Sequence, residues 1–478
     1  MPVRREPRPR KLQRPPIPEL DISAPRSMRR AGKGTGLLLT AFGAALIYLA
    51  YTLVTQSPVY MAKSGKATYG KVFDRTGDVL FDGTQPLTNY QWGQFSDVGN
   101  LIGDTSGQMS NTIVSRNIDA LANYTFSYGN NAGTASLTTT LSHSANRAVF
   151  NAFGYKNGTA IAYNWQTGEV MVCVSKPCVD IVQGYENVDS MPSGSLLCKA
   201  FSPIVPGSTQ KVSTLLAAYQ SAGVDTINAL EYNCSGAWTN ANGDVIKCHQ
   251  GYGHGTQNLP TAFANSCNPY FAQLVQSGVV PLSAIISAYT KMGYAVNGEK
   301  AASMELNGIV IPAASTVLKD NTQFETQWGA LGQGKTLVSP YQLMLWQGAI
   351  ANGTGNAVKP YLLASKTSPK GHETKLASRA DTGEMFTPES AQAVQNVMTQ
   401  NVREHYGTLS GYTCGVKSGT AQVNDNGKEY ENSLLVGFCL DEQCPVAFCI
   451  VIEERESWDV TTAQIARTLL DAVSAARS

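Results

Sequence analysis

The run Gly36–Val54 (GLLLTAFGAALIYLAYTLV) restricts this chain more than any other feature: it is 19 residues without a charge, the length a helix needs to cross a hydrocarbon core. A core helix of a soluble domain would show a polar face, and this segment shows none. It is read as one transmembrane helix. A cleaved signal peptide is the alternative; the long, Pro-rich basic region before the run and the lack of a clean small-x-small site after it argue against cleavage. Residues 1–33 hold ten Lys/Arg against Glu6, Glu19 and Asp21. That flank is expected to stay cytoplasmic, placing the chain from about residue 55 onward outside the cell.

The net charge of +1 therefore hides a remainder that is net acidic by six, and nothing beyond the first segment resembles a nucleic-acid surface. With 43% hydrophobic and 15% charged residues over 478 positions, a large buried core is expected. Four segments follow: a disordered basic tail (1–35), the transmembrane helix (36–54), a polar juxtamembrane pedestal (55–135) and a domain of alternating helices and apolar strands (136–478). In the last, helices are expected at Leu141–Phe153, Lys211–Gln220, Thr261–Gln276, Pro388–Thr399 and Thr461–Ala476. Strands are expected at Thr159–Tyr163, Val170–Val174, Leu434–Cys439 and Val446–Glu453, with a further extended segment ending at Lys417-Ser418-Gly419-Thr420. Two strands near its start and three near its end, around a helical insert, predict an α+β domain whose sheet is closed by both ends of the chain.

All ten cysteines, from Cys173 to Cys449, follow the apolar run, where an oxidising space permits disulfides. Cys173 with Cys178, and Cys439 with Cys444, bracket turns between extended runs; free buried thiols are equally acceptable for several of the others.

Pro206-Gly207-Ser208-Thr209-Gln210-Lys211 leads straight into a helix. A Ser and a Lys one turn apart share a face, so the amine can reach the hydroxyl. A serine needs such a base, and desolvation can leave a lysine neutral enough to serve. Alone the pattern is weak, since Ser-x-x-Lys arises by chance about once or twice in a chain this long. Two further elements strengthen it. Ser266-Cys267-Asn268 offers a second hydroxyl to relay protons and an amide to hold a substrate carbonyl. Lys417-Ser418-Gly419-Thr420 offers a fixed cation beside a glycine that permits close approach of a ligand backbone.

The order Ser-x-x-Lys, Ser-x-Asn, Lys-Ser-Gly beyond a membrane anchor resembles the penicillin-recognising serine enzymes, and within them the transpeptidase domain of monofunctional (class B) penicillin-binding proteins. The likeness runs from about 136 to 460. It includes Thr167-Gly168-Glu169-Val170, His254-Gly255, Gly332-Gln333-Gly334, Val338-Ser339-Pro340 and Gly437-Phe438, and Val72-Phe73-Asp74-Arg75-Thr76-Gly77 resembles the family's entry to the pedestal. The resemblance implies an antiparallel sheet flanked by helices, with a helical subdomain, as in serine β-lactamases. It also implies that Ser208 attacks the penultimate D-alanine carbonyl of a stem peptide and that Lys211 takes its proton. Ser266 would return a proton to the leaving D-alanine, Asn268 would orient the substrate amide, Lys417 would act electrostatically, and Ser418 and Thr420, with Gly419 between them, would bind the terminal carboxylate. No metal or cofactor is implied. Expected partners are peptidoglycan stem peptides on a lipid-linked precursor, β-lactams, and a membrane glycan polymerase, since about eighty residues between membrane and catalytic domain leave no room for a glycosyltransferase.

Departures from the family pattern are Gln210 where an aromatic is usual, Leu137-Thr138-Thr139-Thr140 before the first helix, Cys414-Gly415-Val416 before the third motif, and no aromatic near Leu434. Cys234, Cys248, His249 and His254 suggest zinc, but their spacing fits no standard ligand pattern, and a disulfide or inert thiols are expected instead, with His254 hydrogen-bonded to backbone. The leading function is a D,D-transpeptidase. A D,D-carboxypeptidase or β-lactamase would need a deacylating water, for which no base is evident; a β-lactam sensor or a structural scaffold of the cell-wall machinery are the readings from other classes.

Overall fold

The computed structural model describes residues 26–86, 96–179, 185, 188–249, 251–425, 427–454, 457 and 459–476; most of the expected tail at 1–35 lies outside them. Helix α1 (Arg26–Lys63) contains the whole uncharged run and continues past it, with Pro58 inside. Leu37, Leu38, Phe42 and Ile47 along it are exposed, and its most apolar stretch buries nothing within the protein. Such a surface matches lipid and not water.

Residues 58–478 form one compact unit. Within it, β1 (Lys71–Phe73) and β2 (Val79–Asp82) make a hairpin. Asp74 shapes its turn, accepting from the Thr76 and Asp78 N–H groups at 2.7 and 2.9 Å and from the Thr76 hydroxyl at 2.8 Å. Strand β3 (Ser136–Thr139) lies parallel to β1. It leads into α2 (His143–Ala152), capped by the Ser142 hydroxyl.

The second sheet opens with β4 (Gly158–Asn164) and β5 (Val170–Lys176). The helical insert begins with α3 (Lys211–Ala222). The single helix expected over Thr261–Gln276 is broken in two: α4 (Leu259–Ala264) and α5 (Asn268–Gln276). The break is at Ser266, whose φ of 50° is left-handed. Pro269 in the first turn of α5 lacks the N–H that a continuous helix would use. Next comes α6 (Pro340–Asn352), buried along nearly its whole length. Strands β6 (Leu363–Thr367) and β7 (Glu373–Lys375) then return to the first sheet, giving the order β7-β6-β3-β1-β2. The juxtamembrane strands β1 and β2 thus share a sheet, through β3, with strands from far along the chain.

After α7 (Pro388–His405), the strands β8 (Cys414–Asp425), β9 (Lys428–Cys439) and β10 (Val446–Ile452) complete a five-stranded antiparallel sheet, ordered β8-β9-β10-β4-β5. The expected closure by both ends of the chain is what the fold shows. Central strands β4 and β10 are buried on both faces. Alternate residues divide between two cores: Ile161, Tyr163 and Val451 pack with α6 residues such as Trp346, while Ala160, Ala162 and Ile450 pack with Val149 of α2 and Leu469 of α8 (Thr462–Ala475).

Candidate active site

Ser208 sits in a tight turn, Gly207–Gln210, that runs directly into α3, with Lys211 as the first residue of that helix. Gly207 has φ of 54°, and a Cβ there would lie 2.5 Å from the Thr420 carbonyl oxygen. A Cβ at Gly419 would meet Thr209 Cγ2 at 2.9 Å. Glycine at both positions is what lets the serine turn press against edge strand β8.

Lys211 is fully buried. Its Nζ lies 3.0 Å from Ser208 Oγ, 2.8 Å from Asn268 Oδ1, and 2.6 and 3.2 Å from the carbonyl and hydroxyl oxygens of Ser266. Ser266 in the turn and Asn268 at the start of α5 therefore supply three of the four oxygens. Its left-handed serine stores of order 1 kcal/mol of backbone strain, offset by these bonds. Lys417, on β8, is also buried; it donates to Ser266 Oγ at 3.0 Å and to the Ser418 carbonyl at 2.8 Å. Burial pushes Lys211 down to about 7. Lys417 is lowered as well, by burial first and by the Lys211 charge second. Two amines sharing one hydroxyl in a dry site do not both hold a proton cheaply.

The three motifs open on a cleft of about 1020 Å³, lined by Ser208, Ser266, Asn268, Ser418, Gly419 and Thr420 among others. The eight site residues expected from sequence are thus brought together. Sequence reading missed Tyr406, just past the end of α7, whose hydroxyl donates to Ser418 Oγ at 2.8 Å. It named Gln333 only within a motif; the side chain donates to the Thr420 carbonyl at 3.3 Å. Gln210, the departure beside the nucleophile, accepts from the Tyr294 hydroxyl at 2.7 Å, and Tyr294 stacks on Tyr289 and Trp346. The aromatic surface usual at that position is thus present nearby, contributed by other parts of the chain.

The cysteines differ from expectation in two places. Among the described residues no disulfide is formed, and Cys173 Sγ faces Cys198 Sγ at 3.6 Å instead of pairing with Cys178. His254 turns its Nδ1 to the sulfurs of Cys234 and Cys248, 3.5 Å from each, and not to backbone. The fourth member of that cluster is Cys267, from the middle of the second motif, in place of His249.

The fold is that of a penicillin-binding protein transpeptidase domain. The family model for the penicillin-binding protein transpeptidase domain matches residues 158–471. Stage V sporulation protein D of Bacillus subtilis (strain 168) is 30% identical over 287 residues, covering 58% of this chain and 42% of that relative. Penicillin-binding protein A of Mycobacterium tuberculosis, solved as a ceftriaxone acyl-enzyme complex, superposes with TM-score 0.73 at 19% identity, covering 86% of this chain and 99% of that one. The D,D-transpeptidase domain of a peptidoglycan glycosyltransferase from Eggerthella lenta gives 0.71 at 20%, covering 86% and 99%. This chain belongs to the penicillin-binding protein transpeptidase family. It spans about two fifths of the length of the Bacillus relative.

Proposed function

We propose that this protein is a membrane-anchored D,D-transpeptidase that crosslinks peptidoglycan stem peptides through an acyl-enzyme on Ser208. The observation that carries the reading is the buried Lys211 amine, 3.0 Å from the Ser208 hydroxyl. A neutral amine there accepts the hydroxyl proton as Ser208 Oγ bonds to the carbonyl carbon of the penultimate D-alanine. The resulting oxyanion faces the N–H groups of Ser208 and Thr420, a kind of contact worth about 3–4 kcal/mol per donor. Collapse breaks the C–N bond, and the departing D-alanine amine takes a proton through Ser266, which lies between Lys211 and Lys417. The amine of a second stem then attacks the ester, forming the crosslink and restoring Ser208.

Asn268 orients the substrate amide, and Ser418 and Thr420 bind the terminal carboxylate, with Gly419 leaving room for the substrate backbone. β-Lactams acylate the same oxygen. The exposed apolar surface of α1 supports a single-pass anchor, and the basic segment before it supports a cytoplasmic N-terminus. The glycan strand to be crosslinked comes from a separate lipid-linked glycan polymerase in the membrane.

Labelling of the full-length chain in detergent with a fluorescent penicillin, beside Ser208→Ala, tests the nucleophile. A stable label on wild type alone, with crosslinked product from a lipid-linked pentapeptide precursor, is expected. A folded wild-type protein that takes no label would overturn the assignment.

A further inference from the structure

The ligand atoms of Cys234, Cys248, His254 and Cys267 all lie within 4.8 Å of one another. We propose that these four side chains bind one structural zinc ion, and that this ion fixes the Ser266–Asn268 turn of the active site.

The distances fit the ion. With Zn–S about 2.3 Å and Zn–N about 2.0–2.1 Å, the sulfur-to-nitrogen edge of a tetrahedron is about 3.6 Å. The two sulfurs facing His254 Nδ1 are each 3.5 Å from it. Cys267 closes the figure, its sulfur within hydrogen-bond range of both Cys248 and Cys234. The three cysteines are 1%, 4% and 0% exposed. Outer contacts are in place too: the Asn268 N–H reaches Cys248 and the Tyr270 N–H reaches Cys267, an arrangement that holds ligand atoms for a metal. Disulfide chemistry does not account for the cluster, since three thiols leave one over and assign the imidazole no part.

The four ligands come from separate segments. Cys234 ends one short strand, and its register partner Gly255 follows His254. Cys248 follows the strand Val245–Lys247, and Cys267 precedes α5. The ribbons carrying the first three ligands have strands of three residues, too short to persist without an added tie. Four protein ligands leave no open position, which marks the ion as structural and not as a Lewis acid for the reaction. Binding displaces a proton from each of the three thiols, leaving a centre of net charge −1.

Cys267 lies between Ser266 and Asn268, both of which hold Lys211. Asn268 also donates to the carbonyl of Lys247, at 3.0 Å, next to Cys248. The ion thus secures from two sides the side chains that position the Lys211 amine. The metal site stands independently of the transpeptidase reading; its effect on acylation rests on that reading.

The test is elemental analysis of the full-length chain purified in detergent without chelator, with penicillin acylation followed in parallel. We expect about one zinc per chain, lost in Cys234→Ser and in His254→Ala and kept in Cys173→Ser, a buried cysteine outside the cluster. Cobalt(II) loading of wild-type protein should give the intense d–d and thiolate charge-transfer bands of a tetrahedral site. Chelator treatment should slow acylation at saturating penicillin at least tenfold, and added zinc should restore it. Should the ligand variants fold poorly, the wild-type zinc content and cobalt spectrum decide alone. Substoichiometric zinc that does not rise on adding zinc, or metal retained in both ligand variants, would overturn the site. Zinc bound, with acylation unchanged on its removal, would overturn the positioning role. Zinc bound to a chain that never acylates would sink the transpeptidase reading and leave the metal site standing.

Discussion

The amine of Lys417 lies 3.0 Å from the Ser266 hydroxyl, the same oxygen that Lys211 reaches at 3.2 Å from the other side. One hydroxyl thus joins the first motif to the third, and its residue holds a left-handed backbone to do so. A proton can pass along this line without leaving the protein.

Removal of the base is the most direct check on that line. Lys211→Ala should lower the second-order rate of penicillin acylation by about 10²–10⁴-fold, the range for a positioned general base, while circular dichroism stays native. A loss under threefold would place the base elsewhere.

The acidity of the same residue sets a pH profile. Burial pushes Lys211 down from the usual 10.5 to about 7, opposed by the Cys267 and Cys248 charges; the other ionisable group facing the line is Lys417. The neutral amine is the active form, so acylation should rise with pH, fall about tenfold per unit below about 7, and level off above it. A rate flat from about pH 5.5 to 9 would contradict that assignment.

Tyr406 offers a subtler measurement. Tyr406→Phe removes the donor to Ser418 Oγ, a net contribution of about 0.5–1.5 kcal/mol. Acylation by penicillin should weaken by about 2–10-fold, mostly in the apparent binding constant, because Ser418 is the proposed carboxylate contact.

Gly207 tests the packing of the serine turn. Gly207→Ala must place a methyl group 2.5 Å from the Thr420 carbonyl at a φ of 54°, so the turn or β8 must shift. We expect a loss of about 1–3 kcal/mol of stability by thermal unfolding and slower acylation. An unchanged melting point would mean that the contact relaxes freely.

Much of this architecture is legible in the sequence wherever the signal is local. Period-2 and continuous apolar runs mark β4, β5 and β10, and the spacing of Ser208 and Lys211 marks the proposed base before any fold is known. The parts that stay hidden are those set by distant neighbours. The apolar pattern over Thr261–Gln276 reads as one helix, since nothing local shows that Lys211 and Lys417 will hold Ser266 out of it. Tyr406 is an unremarkable helix-end residue until β8 brings Ser418 beside it. Cys267 reads as the filler of a Ser-x-Asn motif, and only the folding of two ribbons against α5 brings it to Cys234, Cys248 and His254. The strand partners of β3, on β6, lie more than two hundred residues further along the chain.

Because β10 fills the gap between β9 and β4, a strand nearly three hundred residues beyond β4 occupies the middle of the sheet. Until it arrives, β4 lacks its hydrogen-bonding neighbour on that side, although α2 and α6, which cover its two faces, are already in place. Such non-local closure is slow and leaves the incomplete chain prone to sticking to others. A chain cut before about residue 446 would therefore leave β4 and β9 as unpaired edges where the molecule has one continuous sheet. The arrival of β10 is in effect a licence for β8, and with it Lys417, to join the sheet that begins at β4.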